Sequence, residues 1–186
     1  PQGHYTFALC TAGDTIGETM DIFNNDIKKR NIHLDSTFSL IMPESYVGLP
    51  FMDVDKPEKE KKKKTEAERL IASFAQHISD RVCGVNHLDI GRWPKINSRI
   101  IGGYFTNRLI TDKPFYVDKD KCIKCGKCES VCQVDNITKA HDTFPEWKHN
   151  GNCMTCFACY HHCPTHAIEF GRRTKKKGQY WYGKNK

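Results

Sequence analysis

The chain has 186 residues, 38% of them hydrophobic, which bounds it to one large domain or two small ones with a core of modest size. Lysine and arginine outnumber aspartate and glutamate 29 to 22, a formal charge of +7, and no apolar run is long enough to span a bilayer. The ten cysteines do not read as disulfides, because eight of them fall at metal-ligand spacing and thiolate ligands call for a reducing, cytoplasmic compartment.

In chain order, His4 to Cys10 is a nearly unbroken apolar run and reads as a strand of a parallel sheet, buried on both faces. Thr15 and Glu18 form a capping-box pair, so a helix is expected from about Ile16, with Ile16, Met20, Phe23 and Ile27 on its inner face. A second strand is expected over Thr37 to Met42, followed by a loop between two prolines. The lysine-rich run from Lys59 to Lys64 reads as the solvated start of a second helix. Its stripe is Ala67, Leu70, Ile71, Phe74, Ala75, Ile78 and Val82. Residues 1–83 thus read strand–helix–strand–helix, part of an α/β domain with a parallel sheet. Two strands do not complete such a sheet, so the strand near Tyr5 to Leu9 is expected to keep an unpaired edge. Residues 84–111 read as a connector, with a helix opened by Pro94 and weakened by Gly102 and Gly103. Cys10 and Cys83 read as buried, inert thiols.

Residues 112–171 hold the most specific pattern. CIKCGKCESVC from Cys122 is followed, after twenty residues, by CMTCFACYHHCP from Cys153. Each half spaces its cysteines C-x2-C-x2-C-x3-C, and the halves repeat at an offset of 31 residues, with Ile137 answering to Ile168. This is the ligand pattern of a two-cluster bacterial-type ferredoxin, in which the fourth cysteine of each motif ligates the other cluster. A four-iron cube needs one thiolate per iron corner, and three cysteines on a tight loop reach three corners. The spacing assigns Cys122, Cys125, Cys128 and Cys163 to one cluster and Cys153, Cys156, Cys159 and Cys132 to the other. Zinc, the competing reading, usually brings together two separated pairs of ligands rather than two such groups of four. His161 and His162 sit inside the second motif, where an imidazole could tune its cluster, and at least one of the two is expected to face solvent.

Residues 172–186 form a basic tail containing Tyr180, Trp181 and Tyr182. Basic and aromatic residues together can bind single-stranded nucleic acid, but one short tail is no platform, and packing against the domain or a redox partner is the stronger expectation. With two oxidised clusters bound the charge falls to about +3, taking ligand thiols as deprotonated. The balance points to redox partners with acidic docking surfaces.

With these elements in place, the chain resembles the C-terminal part of the flavodoxin-like/ferredoxin fusion proteins of anaerobic microbes. The resemblance is carried by Cys10-Thr11-Ala12-Gly13 after the first strand, by Met42-Pro43-Glu44-Ser45-Tyr46 after the second, by the paired cysteine motifs, and by Ala167-Ile168-Glu169-Phe170-Gly171-Arg172-Arg173-Thr174. It departs from the pattern at Gln133, where proline usually follows the fourth cysteine, and nothing matches the family's glycine- and hydroxyl-rich phosphate loop. The chain opens at Pro1 rather than methionine, and that loop is expected upstream of it. The resemblance implies an α/β part, the C-terminal half of a flavodoxin-like domain, followed by an α+β two-cluster ferredoxin domain. It also implies that Thr11, Ala12, Gly13 and Asp14 would lie beside the ring of a flavin (FMN), bound only when the upstream part is present. The expected function is electron transfer through two [4Fe–4S] clusters. The alternative is a flavin-dependent reductase fed by its own ferredoxin domain, for which the sequence offers no acid–base pair or substrate pocket.

Overall fold

A computed structural model describes residues 3–184. The chain divides into two units, Pro1–Glu44 with Asp55–Tyr104, and Ser45–Val54 with Phe105–Lys186. The division cuts across the expected domains. Ser45–Val54 leaves the α/β domain expected over residues 1–83, and residues 84–104 of the expected connector belong with the α/β unit. None of the helices among the described residues is long and apolar enough to cross a membrane.

The first unit is built on three parallel strands in the order β1 (Phe7–Ala12), β2 (Ser36–Ile41), β3 (Asn86–His87). β3 falls in the stretch read as connector. β2 lies in the middle, and Phe38 and Leu40 on it pack with Ala67 and Phe74 of helix α2 (Pro57–Ser79). The Phe38 and Phe74 rings are 4.6 Å apart, close enough for a favourable tilted contact beyond simple burial. β1 is an edge strand, with Phe7 and Leu9 exposed. Its apolar sequence suits a strand covered on both faces, yet within this unit only alternate positions are covered.

Helix α1 (Thr19–Lys28) begins later than its capping box predicts. Gly17 takes a left-handed φ of 54°, which a helical residue does not adopt. The Glu18 carboxylate turns away from the cap to meet the Arg99 guanidinium at 2.7 and 2.9 Å, and the Glu18 N–H donates to Ser98 Oγ at 2.8 Å. A long-range bidentate pair thus displaces a local cap. Phe23, expected inside, is exposed, as are Ile71, Val82 and the thiol-bearing Cys83. The expected connector helix winds with π-type bonding over Ile96–Ile101 before a single α-turn, Gly102–Tyr104 (α3).

Asp55 closes the neck from which Ser45–Val54 departs. Its carboxylate accepts the Glu44 N–H at 2.9 Å and pairs with Lys59 at 2.8 Å and with Lys63. The Lys63 ammonium also donates to the Gly13 carbonyl at 2.6 Å. Burial alone would raise the Asp55 carboxyl, but the bonds from Lys59, Lys63 and Glu44 outweigh it and hold it at about 2.

The second unit contains the cysteine motifs. After a π-wound turn over Phe105–Leu109, β4 (Phe115–Val117) pairs antiparallel with β7 (Ile168–Phe170), and β5 (Ile137–Thr138) pairs antiparallel with β6 (Glu146–Trp147). Two single-turn helices, α4 (Lys127–Ser130) and α5 (Ala158–His161), sit at the same place in each repeat, 31 residues apart. Phe157, 1% exposed, is the hub of the core: Phe170 lies at 5.1 Å, Phe115 at 5.3 Å and Tyr46 at 5.4 Å.

Tyr46 and Val47 come from the excursion Ser45–Val54, which the C-terminal segment binds in place. The Lys177 ammonium donates to the carbonyls of Val47 at 2.9 Å, Met52 at 2.6 Å and Leu49, and Arg173 reaches the Gly48 carbonyl at 3.1 Å. The tail is itself fixed by Tyr160, whose hydroxyl donates to the Lys177 carbonyl at 2.8 Å, and by Gln179, whose amide donates to the carbonyls of Tyr160 and Cys163 at 2.6 and 2.9 Å. Gly48 has to be glycine here, since a Cβ would stand 2.8 Å from Phe157 Cζ. The aromatic tail thus packs back on its own unit, with Tyr180 buried.

Two outcomes follow from these contacts. Lys177→Met should destabilise the second unit by about 2 kcal/mol, the scale of losing charge-assisted bonds to partly buried carbonyls. Limited proteolysis should then cut within residues 48–52 faster than it does in the wild type. Asp55→Asn should cost the first unit about 2 kcal/mol at pH 7. Because the folded carboxyl is depressed, the wild-type advantage is complete above the ordinary aspartate value of ~3.9 and disappears as pH falls through about 2. Denaturant curves for both proteins at pH 7 and at decreasing pH measure this difference.

Candidate iron–sulfur centres

The backbone of the second unit is repeated down to single residues. Lys124 and Thr155 both take left-handed φ (55° and 49°), as do Gly126 and Phe157 (72° and 59°) and Asp135 and His166 (47° and 53°). Each pair is 31 positions apart, like the cysteines themselves. The first two reversals in each half fall between successive cysteines and turn the loop so that its thiols face one side. Left-handed φ costs a non-glycine residue of order 1 kcal/mol or more, so retaining it at Thr155 and Phe157 marks a tightly determined geometry.

Two cavities result. One is lined by Cys122, Cys125, Cys128 and Cys163, with Ile123, Lys127, Ala140 and Ile168 among its walls. The other is lined by Cys132, Cys153, Cys156 and Cys159, with Met154, Asn136, Ile137 and Trp147. The eight motif cysteines are thus brought together as two sets of four, and each set takes its fourth member from the opposite repeat. Among the described residues no group of three or more His, Cys, Asp or Glu side chains converges to hold a single metal ion. Each set of four thiols lines one cavity, and a cube with four iron corners takes one thiolate at each.

Backbone donors point at the sulfurs. Asn136 N–H donates to Cys132 Sγ at 3.2 Å, and its counterpart Ala167 N–H donates to Cys163 Sγ at 3.1 Å. Thr155 N–H reaches Cys153 Sγ at 3.4 Å. Burial pushes the Cys128 thiol up to about 11 and the Cys159 thiol well above its usual range. Such sulfurs become thiolates when cationic iron replaces their protons. Donor type, donor number and the N–H···S bonds all fit iron–sulfur cubes.

His161 does not approach a cluster cavity. Its Nε2–H donates to the Ser45 carbonyl at 2.6 Å and its Nδ1 accepts the Tyr180 N–H at 3.2 Å, which fixes a neutral tautomer. Burial, against the Ser45 bond, pushes its imidazole down to about 4. His162 is partly exposed and stacks on Trp181 at 4.8 Å. The excursion and the tail therefore use the histidines that the sequence assigns to cluster tuning. Nothing in their spacing signals this, because the partners are backbone groups 116 and 19 residues away.

In the first unit, Thr11 and Ala12 end β1, with Gly13 and Asp14 just beyond at the C-terminal edge of the sheet. A Cβ on Gly13 would collide with the Glu44 carboxylate. A separate cavity of about 380 Å³ at that edge is lined by Ile41, Lys59, Lys63, His87 and Asp89 among others, and by none of Thr11–Asp14.

Comparison with known proteins agrees with the cysteine geometry. Residues 114–164 match the 4Fe–4S dicluster domain family. The chain is 39% identical over 62 residues to pyruvate synthase subunit PorD of Methanothermobacter marburgensis, covering 33% of this chain and 69% of that subunit. It is 44% identical over 36 residues to a ferredoxin of Streptomyces griseus (19% of this chain, 34% of that protein). It is 47% identical over 34 residues to a 7Fe ferredoxin of Hydrogenibacillus schlegelii (18% and 44%). The chain thus spans less than half the length of these two ferredoxins. No solved structure gives a significant match. The chain carries a two-cluster 4Fe–4S domain and, through it, belongs to the ferredoxin-type dicluster family.

Proposed function

We propose that the protein transfers electrons through two [4Fe–4S] clusters, one held by Cys122, Cys125, Cys128 and Cys163, the other by Cys153, Cys156, Cys159 and Cys132. The observation that carries the reading is the pair of four-thiol cavities with N–H donors aimed at the sulfurs. When bound, the clusters supply one-electron chemistry. The chain's own residues set its energetics. Asn136 and Ala167 donate to ligand sulfur, which favours the extra negative charge of the reduced state. Cys125 and Cys156 are exposed, and Ile123 and Met154 beside them present apolar surface at each cavity. These are the places where a redox partner would come closest. The basic charge of the chain favours an acidic partner surface.

The finer part of the reading couples these clusters to a flavin in a flavodoxin-like domain, with Thr11–Asp14 beside the ring. Flavin phosphate needs backbone donors at a helix start, and at the start of α1 the N-cap residue is Glu18, whose carboxylate is paired with Arg99. Coupling to FMN therefore requires a phosphate loop supplied from outside these 186 residues.

Anaerobically purified protein should contain about eight irons and eight sulfides; stoichiometric zinc without iron after reconstitution would refute the reading. Cys132→Ser should perturb the paramagnetic signals of the cluster held by Cys153, Cys156 and Cys159 and spare the other. The opposite pattern would mean that each motif ligates its own cube. Titrating FMN into the chain should leave flavin fluorescence unquenched, whereas tight one-to-one quenching would show that phosphate is held by residues other than a phosphate loop.

A further inference from the structure

The two centres repeat each other in backbone but not in the charge behind them. Behind the cavity of Cys132, Cys153, Cys156 and Cys159 lies Asp112, 5% exposed. Its Oδ2 accepts the Asn136 side-chain amide at 2.8 Å and its Oδ1 accepts His149 Nδ1 at 2.9 Å. Asn136, 1% exposed, lines that cavity and gives its backbone N–H to Cys132 Sγ. The residue before Asp112 is tied to the same cavity: Thr111 N–H donates to Thr155 Oγ1 at 2.8 Å, and Thr155 N–H reaches Cys153 Sγ. Asp112 thus holds the residue that donates to Cys132 Sγ, and its chain neighbour Thr111 holds the one that donates to Cys153 Sγ. Burial, opposed by the bonds from Asn136 and His149, leaves its carboxyl below the ordinary aspartate value, so it is ionised at neutral pH.

Among the described residues, the other cavity has no equivalent at the matching position. Alanine, Ala167, stands where the repeat has Asn136, so no side chain there can hold a buried carboxylate. Lys127 is among its walls. Glu129, which accepts the Ala140 N–H at 3.0 Å, is partly exposed and hence better screened than Asp112. Glu169, also buried, is bound by the Thr174 hydroxyl at 2.5 Å and lines neither cavity.

An electron added near a fixed buried anion is repelled, and low local dielectric makes the repulsion count. Net charge and hydrogen bonds to sulfur are among the terms that set cluster potentials. We infer that Asp112 is a positioning and tuning residue that makes the cluster at Cys132, Cys153, Cys156 and Cys159 the lower-potential member of the pair, so that electrons run from it to the cluster at Cys122, Cys125, Cys128 and Cys163. This rests on the electron-transfer reading and adds a direction to it.

The test is a redox titration of the whole cluster-loaded chain, followed by the paramagnetic signals of each cluster, assigned through Cys132→Ser. The wild type should fill the Cys122 site first. Asp112→Asn, which removes the charge and keeps hydrogen-bonding capacity, should raise the reduced-to-oxidised ratio of the Cys132 site about tenfold at a fixed ambient potential. That equals about 59 mV for a one-electron couple. The other site should change less than about twofold, an 18 mV equivalent on the same scale. His149→Lys places a permanent cation against Asp112 from a side chain 55% exposed and should move the same cluster in the same direction without risking the core. Equal shifts at both clusters, no shift in either variant, or a wild type that fills the Cys132 site first would overturn the inference while leaving the electron-transfer reading intact. Absence of iron would refute that reading, and this inference with it.

Discussion

Everything in the second unit depends on turning a short chain sharply enough that cysteines three residues apart face one point in space. That turn is made by left-handed residues between the cysteines, at Lys124 and Gly126 in one half and at Thr155 and Phe157 in the other. Glycine adopts this conformation freely; phenylalanine does not. The cost at Phe157 is offset by what its side chain does, since from that backbone position it enters the middle of the aromatic core and meets Phe115, Phe170, Tyr160 and Tyr46. The first repeat uses glycine at the matching place and has no such hub. One half of the pseudo-symmetric pair therefore carries the packing, and the other half presents lysines at Lys121, Lys124 and Lys127.

That division of labour explains how a unit with little regular structure is held together. Its helices are single turns and its strands two or three residues long, so ladders and helix propensity contribute little. Stability comes from the aromatic cluster, from metal ligation where metal is present, and from ammonium and amide groups of the tail that satisfy backbone carbonyls. Lys177 is the clearest case: its charged head sits among three carbonyls.

The cysteine spacing and its 31-residue repeat were legible because they are local in the chain, and the cavities are lined by the cysteines in that grouping. β1 was legible as an apolar run and α2 from its helical periodicity. What could not be read depends on partners remote in sequence. Glu18 looks like a cap until Arg99 is present. His161 looks like a tuning residue until the Ser45 carbonyl and the Tyr180 amide occupy both its nitrogens. Asp112 sits in a polar loop ten residues before the first motif cysteine, Cys122, and its neighbours Asn136 and His149 give no periodic signal. The two-residue strand β3 is too short for alternation to register. Ser45–Val54 was assigned by continuity to the unit on either side of it, and only the closed neck at Glu44 and Asp55 explains how a chain can leave a domain and return.

That excursion bears on the order in which the protein is made. Val47 is 130 residues from the lysine that fixes its carbonyl, and Ser45 is 116 from the imidazole that binds it. During synthesis the excursion emerges long before the motif cysteines, and the groups that bind its backbone, His161, Arg173 and Lys177, follow more than a hundred residues later. The second unit is accordingly a late folder with high contact order. A cut anywhere between residues 55 and 104 separates it from one of its own core segments, so a gene fragment starting at the cysteine motifs would encode the ligands without the residues that close the core around Phe157.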